Sequence, residues 1–258
     1  MRKLKAGTIL LVFIVLVSLL VAEFDAPINS YQALSGPSFS HPFGFDSLGR
    51  DLCGRMGAGI VISLTISAAT AVLSIAIGLL ISYFMSDRNL SFFMFSLSDS
   101  MKLLPTVPLA LFLSSLSGPG AGKLVFSMVI TMSPAVARSA YSKIAILKKE
   151  RFTLSSYGLG QGKVKVFFTH ILPHLYPYLR EQGLSLFLSA VLMEASLSYL
   201  GAGLNPGTPS LGAIISEAKD YMLSNPLFLA FPSIALIAIS VALALIIRAF
   251  SELDSSSK

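Results

Sequence analysis

Residues 148–173 read KKERFTLSSYGLGQGKVKVFFTHILP. They are the longest polar interruption in a chain that is otherwise mostly of membrane-grade hydrophobicity. Lys148, Lys149, Arg151, Lys163 and Lys165 surround a central Gly160, and the stretch closes on Leu172 and Pro173. Around it, 54% of the 258 residues are hydrophobic and 12% are charged, with a mean hydropathy of +0.76. Soluble domains carry about twice that charged fraction. This chain cannot cover a core with a charged exterior, so it reads as an all-α, polytopic membrane protein. The net charge of +6 does not indicate nucleic acid, because the basic residues lie between hydrophobic runs, where they orient a membrane protein. Cys53 is the single cysteine, which rules out an intrachain disulfide and a thiolate-built metal cluster.

Outward from that stretch, about six apolar runs are expected to cross a bilayer as one domain: 6–22, 60–84, 101–116, 124–136, 183–200 and 226–247. The first follows Arg2, Lys3 and Lys5 and suits either a short anchor helix or a cleaved signal peptide. The second carries Ser63, Ser67, Ala68, Ala69, Ala71 and Gly78, small residues that let helices approach closely in lipid. Pro105 and Pro108 make the third either a kinked helix or one that starts near Pro105. The turn GPGAGK at 118–123 is no phosphate loop: three residues instead of four precede its Gly-Lys pair, and Leu124 follows the lysine.

Orientation follows from the cations. With the N-terminus inside, Arg50, Arg55, Lys123 and Lys219 are the only outer ones among the 19 Lys and Arg residues. That is a strong positive-inside bias, and it puts both termini and residues 148–173 in the cytoplasm. Within the loop, residues 152–159 suit a short helix, residues 160–162 break it, and residues 163–171 resume with Val164, Phe167, Phe168 and Ile171 as an apolar stripe. Leu172 and Pro173 are expected to end that second helix. Such a basic amphipathic segment could lie on anionic lipid or dock in a partner's groove.

The stretch resembles the cytoplasmic loop of importer-type ABC permeases, whose pattern is EAA, three residues, Gly, nine residues and I-x-L-P. Leu154, Ser155 and Ser156 stand at EAA, Gly160 at the glycine, His170 at the isoleucine, and Leu172 and Pro173 at LP. The spacing matches, whereas the EAA chemistry does not. Three more stretches resemble the second permease subunit of dipeptide, oligopeptide and nickel importers. These are HPFGFDSLGRD at 41–51 (His41, Gly44, Asp46, Gly49, Arg50, Asp51), EASLSYLGAG at 194–203 and NPGTPSLG at 205–212. Asp99 and Pro105 also match the family's third span. The family's Gly-Asp before a final Leu-Arg-Asp is missing, so the chain is a divergent member.

The resemblance implies an inner-membrane pore subunit of an ATP-driven, binding-protein-dependent importer for peptides or a related solute such as nickel or a metal chelate. It also implies a second permease, two cytosolic ATPases that carry the ATP and magnesium, and an extracytoplasmic binding protein. Phe152, Leu154, Ser155, Ser156, Gly160, Leu172 and Pro173 would then form the ATPase-coupling loop. No catalytic residue or bound cofactor is expected on this chain. The alternative, an ion-coupled secondary transporter, normally needs several intramembrane ionisable groups. Here Glu194 stands nearly alone, either as a functional acid or as a structural one bonded within the bundle. His41, His170 and His174 are not expected to form a metal site.

Overall fold

The computed structural model describes residues 2–24, 26–85, 96, 100 and 105–256. Helices account for nearly all regular structure among them, and Phe45 and Asp51 form one isolated antiparallel bridge. In chain order these are α1 (Arg2–Val21), α2 (Leu52–Met85), α3 (Thr106–Ser117), α4 (Ala121–Leu147), α5 (Arg151–Gly158), α6 (Lys163–Val166), α7 (Leu172–Tyr199), α8 (Leu211–Ala218) and α9 (Pro226–Ser256). A π-helical turn, Phe167–Ile171, joins α6 to α7. Four of these helices, α1, α2, α4 and α9, are long and apolar enough to cross a membrane.

α2 is the central member and packs on α1, α4 and α7, while α9 closes the bundle against α1, α7 and α8. Glycines set the closest crossings. A Cβ on Gly78 would lie 2.6 Å from a Val136 methyl, on Gly57 2.8 Å from the Ser18 carbonyl, and on Gly7 2.8 Å from the Ala242 carbonyl. Small residues are what allow backbones to meet in this way where lipid supplies no hydrophobic drive between helices. The core proper lies between α2, α3, α4 and α7, around Ile66, Met128, Met132, Leu186, Met193 and Leu197.

The helices differ from their sequence-based ranges for identifiable reasons. α2 begins at Leu52, not near residue 60, because the Asp51 carboxylate accepts from the Cys53 and Gly54 N–H groups (2.7 and 3.1 Å) and caps it. α3 begins at Thr106 with Pro105 as its N-cap. Pro108 thus falls in the first turn, where no N–H is needed, and does not kink the helix. Twelve residues give α3 a length of about 18 Å. Residues 101–104 of the expected third run, and Asp99, lie outside the described residues. α4 runs unbroken through Pro134 to Leu147.

The clearest correction concerns Leu172 and Pro173, which open the long α7 and do not end a helix. The Leu172 N–H reaches back five residues to the Phe167 carbonyl. This π turn accommodates the proline, so α6 and α7 form one continuous rod. The fifth apolar run therefore belongs to a helix that starts near 172 and not near 183.

The start of α1 and the end of α9 lie at one end of the bundle. Gly7 of α1 meets Ala242 and Ile246 of α9, and the Arg180 guanidinium sits 4.3 Å from the Phe250 ring. Residues 148–173 share that basic end.

Candidate functional site

At the basic end α4 gives way to a turn at Lys148–Glu150, and α5 then crosses the bundle end. The side chain of Thr153 is buried, and its hydroxyl donates to the Leu147 carbonyl at 2.8 Å. That bond satisfies one of the carbonyls left open where α4 stops. Ser156 is also buried and donates to the Phe152 carbonyl at 2.9 Å. The Phe152 ring stacks on His174 of α7 with centroids 4.4 Å apart and planes inclined by 17°. The first turn of α5 is thereby attached to both α4 and α7.

Gly160 ends α5. Its φ is +79°, a region that glycine occupies without the strain a Cβ brings. Its N–H donates to Tyr157 O (3.0 Å) and the Gln161 N–H to Ser156 O (3.2 Å), the paired closure of a Schellman motif. The nearest neighbours of a Cβ added there lie beyond 4 Å. The requirement for glycine is therefore conformational and not one of space.

The chain then folds back as α6 and buries Val166, Phe167 and Ile171 with Ile144 and Leu175. Leu79 and Tyr83 of α2 pack against this cluster together with Leu147, Tyr157 and Leu172. The expected stripe is thus half right. Phe167 and Ile171 face inward, but Val164 and Phe168 are exposed and Val166 takes the inner place. The π turn adds a residue and rotates the face. Outward, Leu154 (56% exposed), Leu159 (81%), Val164 and Phe168 make an uncovered apolar surface bordered by the exposed Arg151, Lys163 and Lys165. Ser155 shares the outer side and Pro173 is exposed. The element brings the sequence-selected residues together in two sets: Phe152, Ser156 and Leu172 toward the bundle, and Leu154 and Ser155 away from it.

The 41–51 stretch forms a compact cap at the opposite end. Gly44 and Gly49 have φ of +73° and +71°, and a Cβ on Gly49 would strike the Asn29 carbonyl at 1.8 Å. Asp46 is wholly buried and accepts from the Leu48 and Arg50 N–H groups (2.8 and 2.9 Å) and from Arg50 Nε (2.7 Å). It also accepts from Arg55, itself only 2% exposed. Arg55 reaches across to Glu217 of α8 with bonds of 2.8 and 3.1 Å. His41 contacts the Asp51 carboxylate and rests against the Phe45 ring. Two charges missing from the sequence selection, Arg55 and Glu217, therefore complete the quartet. Both lie between the expected apolar runs, and no local pattern marks their pairing across 162 residues.

Glu194 of α7 is 0% exposed. The Ser198 hydroxyl donates to it at 2.7 Å, and the hydroxyls of Ser63 (α2) and Ser210 flank the carboxylate. Ser63 and Ser210 in turn accept from the N–H groups of Leu211 and Ala213 (3.4 and 3.2 Å), which open α8. Close backbone contact reinforces the joint, since a Cβ on Gly212 would sit 2.2 Å from the Ala195 carbonyl and one on Gly203 2.3 Å from Ser198 Oγ. Glu194 thus knots α2, α7 and α8 together, which favours the structural reading of this acid.

Residues 74–253 match the model of a family described as the binding-protein-dependent transport system inner membrane component. The chain is 30% identical over 237 residues to the glutathione transport system permease protein GsiD of Salmonella typhimurium, covering 86% of this chain and 77% of that protein. It is 28% identical over 225 residues to the dipeptide transport system permease protein DppC of Alkalihalophilus pseudofirmus, covering 86% and 73% respectively. Among solved structures, the MetNI methionine ABC transporter in an inward-facing conformation superposes with a TM-score of 0.57 at 15% identity. That match covers 74% of this chain and 94% of the transporter chain, a likeness of fold.

Proposed function

This chain belongs to the binding-protein-dependent transport system inner membrane component family, and from that premise we propose that it is the pore subunit of an ABC importer for peptides or glutathione-like solutes. It is a multi-pass membrane protein of the inner membrane. The relatives' names support peptide as the solute class; nickel or a metal chelate is the related solute that the sequence resemblance also allows. A second permease would complete the pore, and a binding protein would deliver solute to the end capped by residues 41–51. Two ATPases, holding ATP and magnesium, would dock at the basic end in the cytoplasm.

The observation that carries this reading is the two-sided construction of α5 and α6. One side is built into the ends of α2, α4 and α7 through Thr153, Phe152 and the cluster around Ile171. The other presents Leu154, Leu159, Val164 and Phe168 uncovered, beside three cations. A partner that moves the outer face moves three long helices with it. Gly160 keeps the two short helices at a fixed angle. An ion-coupled mechanism would require Glu194 to load and release an ion, and its enclosure by three serines argues against that role.

Co-purification tests the proposal. Two ATPase subunits should accompany the wild-type chain from detergent, and Phe168→Asp with Leu154→Asp should release them while the second permease stays bound. A chain that purifies alone and transports solute in vesicles without ATPases would overturn it.

A further inference from the structure

A small cavity of about 110 Å³ lies where the end of α2 meets residues 148–173. Tyr83 and Phe84 line it from the last turn of α2, Lys148 from the turn after α4, Tyr157 from α5 and Lys163 from α6, over a floor made by Phe167 of the π turn. Two cations and two phenols thus converge on an apolar base. No acid is among the described residues that line it. Glu150, two residues after Lys148, is exposed and is not part of the wall. The stretch from 86 to 104, which lies almost wholly outside the described residues, holds Asp87, Arg88, Asp99 and Lys102 and so adds no net charge.

Size and level narrow what fills this cavity. Drug-sized solutes need pockets of about 300–1,000 Å³, so the space here takes one small anionic group such as a phosphodiester. Tyr83 and Phe84 close the long apolar run of α2, the level at which aromatic side chains meet lipid headgroups. Leu73, Ile77, Leu80 and Phe84 are all exposed. Their spacing alternates between four and three residues, which puts them on one face of α2 as an apolar track leading to the cavity. A free phosphate would use the cations alone. A phospholipid uses the cations with its headgroup and the track with an acyl chain.

We propose that this cavity seats the phosphate of an anionic phospholipid of the cytoplasmic leaflet, held by Lys148 and Lys163, with an acyl chain along the Leu73–Phe84 track. Tyr83 and Tyr157 offer their hydroxyls to the same oxygens. Basic pockets at the cytoplasmic ends of membrane helices suit such headgroups. A headgroup there touches α2, the end of α4, α5 and α6 at once. It adds a link between the loop and α2 beside the Tyr83–Phe167 ring contact (5.1 Å between centroids), and so stiffens the loop. Lys163 borders both this cavity and the outer apolar surface of α5 and α6. The proposal rests on the orientation read from the cations and is independent of the solute carried.

The test uses the chain with the subunits that co-purify with it, in neutral detergent. The sample is titrated with short-chain phosphatidylglycerol and followed by deuterium exchange of the α5 and α6 amides. Phosphatidylglycerol should slow that exchange saturably, and short-chain phosphatidylcholine or inorganic phosphate at the same concentrations should not. A lysine beside anionic lipid strengthens binding about fivefold. Lys148→Gln and Lys163→Gln should therefore each raise the half-saturating concentration about fivefold, and Lys163→Arg, which keeps the charge, should bind like wild type. Lys165→Gln removes the same charge from α6 outside the cavity and should leave the titration unchanged. A half-saturating concentration that neither cavity lysine moves, or that Lys165→Gln moves equally, would reduce the effect to diffuse attraction of a basic loop and overturn the site. Equal protection by inorganic phosphate would overturn the lipid assignment. Protection that appears only after the ATPases are stripped away would make the cavity an ATPase contact, and absence of protection in wild type would end the proposal outright.

Discussion

Thr153 and Leu154 are neighbours on α5 that face opposite ways. Leu154 occupies the place where related loops carry a glutamate, yet it points out of the bundle, and the adjacent threonine makes the buried hydrogen bond to Leu147. Removing that hydroxyl with Thr153→Val loses this bond and leaves the Leu147 carbonyl with the Glu150 N–H (3.2 Å), at a cost of about 0.5–1.5 kcal/mol. The α5 amides should then exchange with deuterium about fivefold faster while the complex stays assembled. Unchanged exchange would show that the bond does not hold the loop. Glu194 makes a complementary case. Glu194→Gln keeps an oxygen to accept from Ser198, so uptake should survive, whereas Glu194→Leu strands the Ser198 hydroxyl and should reduce the amount of folded protein recovered. Full assembly with no uptake in Glu194→Gln would mean that the charge itself is used.

Among the elements, α8 is held at both ends, by the Glu194 knot at its start and by Glu217 on Arg55 near its finish. Arg55 is nearly inaccessible and answers two carboxylates. Arg55→Met leaves buried Asp46 to Arg50 (2.7 Å) and Glu217 with a 3.4 Å contact to the same arginine, and should destabilise the detergent-solubilised chain by about 3 kcal/mol, the low end for breaking a buried pair. Glu217→Gln should cost much less, since Glu217 is about one-third exposed and Asp46 still pairs with Arg55. Thermal unfolding of the two variants checks the ranking. The elements also show where sequence reasoning stopped. Residues 52–59, LCGRMGAG, look too polar and glycine-rich to begin a long membrane helix. They are helical because Gly57 meets the Ser18 carbonyl and Arg55 meets Asp46 and Glu217, contacts that exist only after folding. Pro173 likewise reads as a helix end, and a π turn absorbs it. Gly160 was legible because its role is local: a left-handed position between two helical patterns needs no distant partner.

At the scale of the whole molecule, composition alone separated a membrane chain from a soluble one, and the distribution of cations predicted which end faces the cytoplasm. What composition could not supply is the division of labour between the two ends. One end is closed by a buried charge quartet and a serine-bound glutamate; the other carries a short helix with a built-in inner face and an uncovered outer one. Coupling requires that α5 and α6 transmit force as one unit to α2, α4 and α7. Gly160→Pro addresses this most directly, because proline holds φ near −65° and Gly160 sits at +79°, so the inner packing survives while the angle between the short helices does not. The decisive measurement is ATP hydrolysed per peptide imported by the reconstituted complex. The wild type should show a fixed ratio, and Gly160→Pro should assemble and hydrolyse ATP with peptide uptake reduced at least about tenfold. A Gly160→Pro complex that imports peptide at the wild-type ratio would contradict the account.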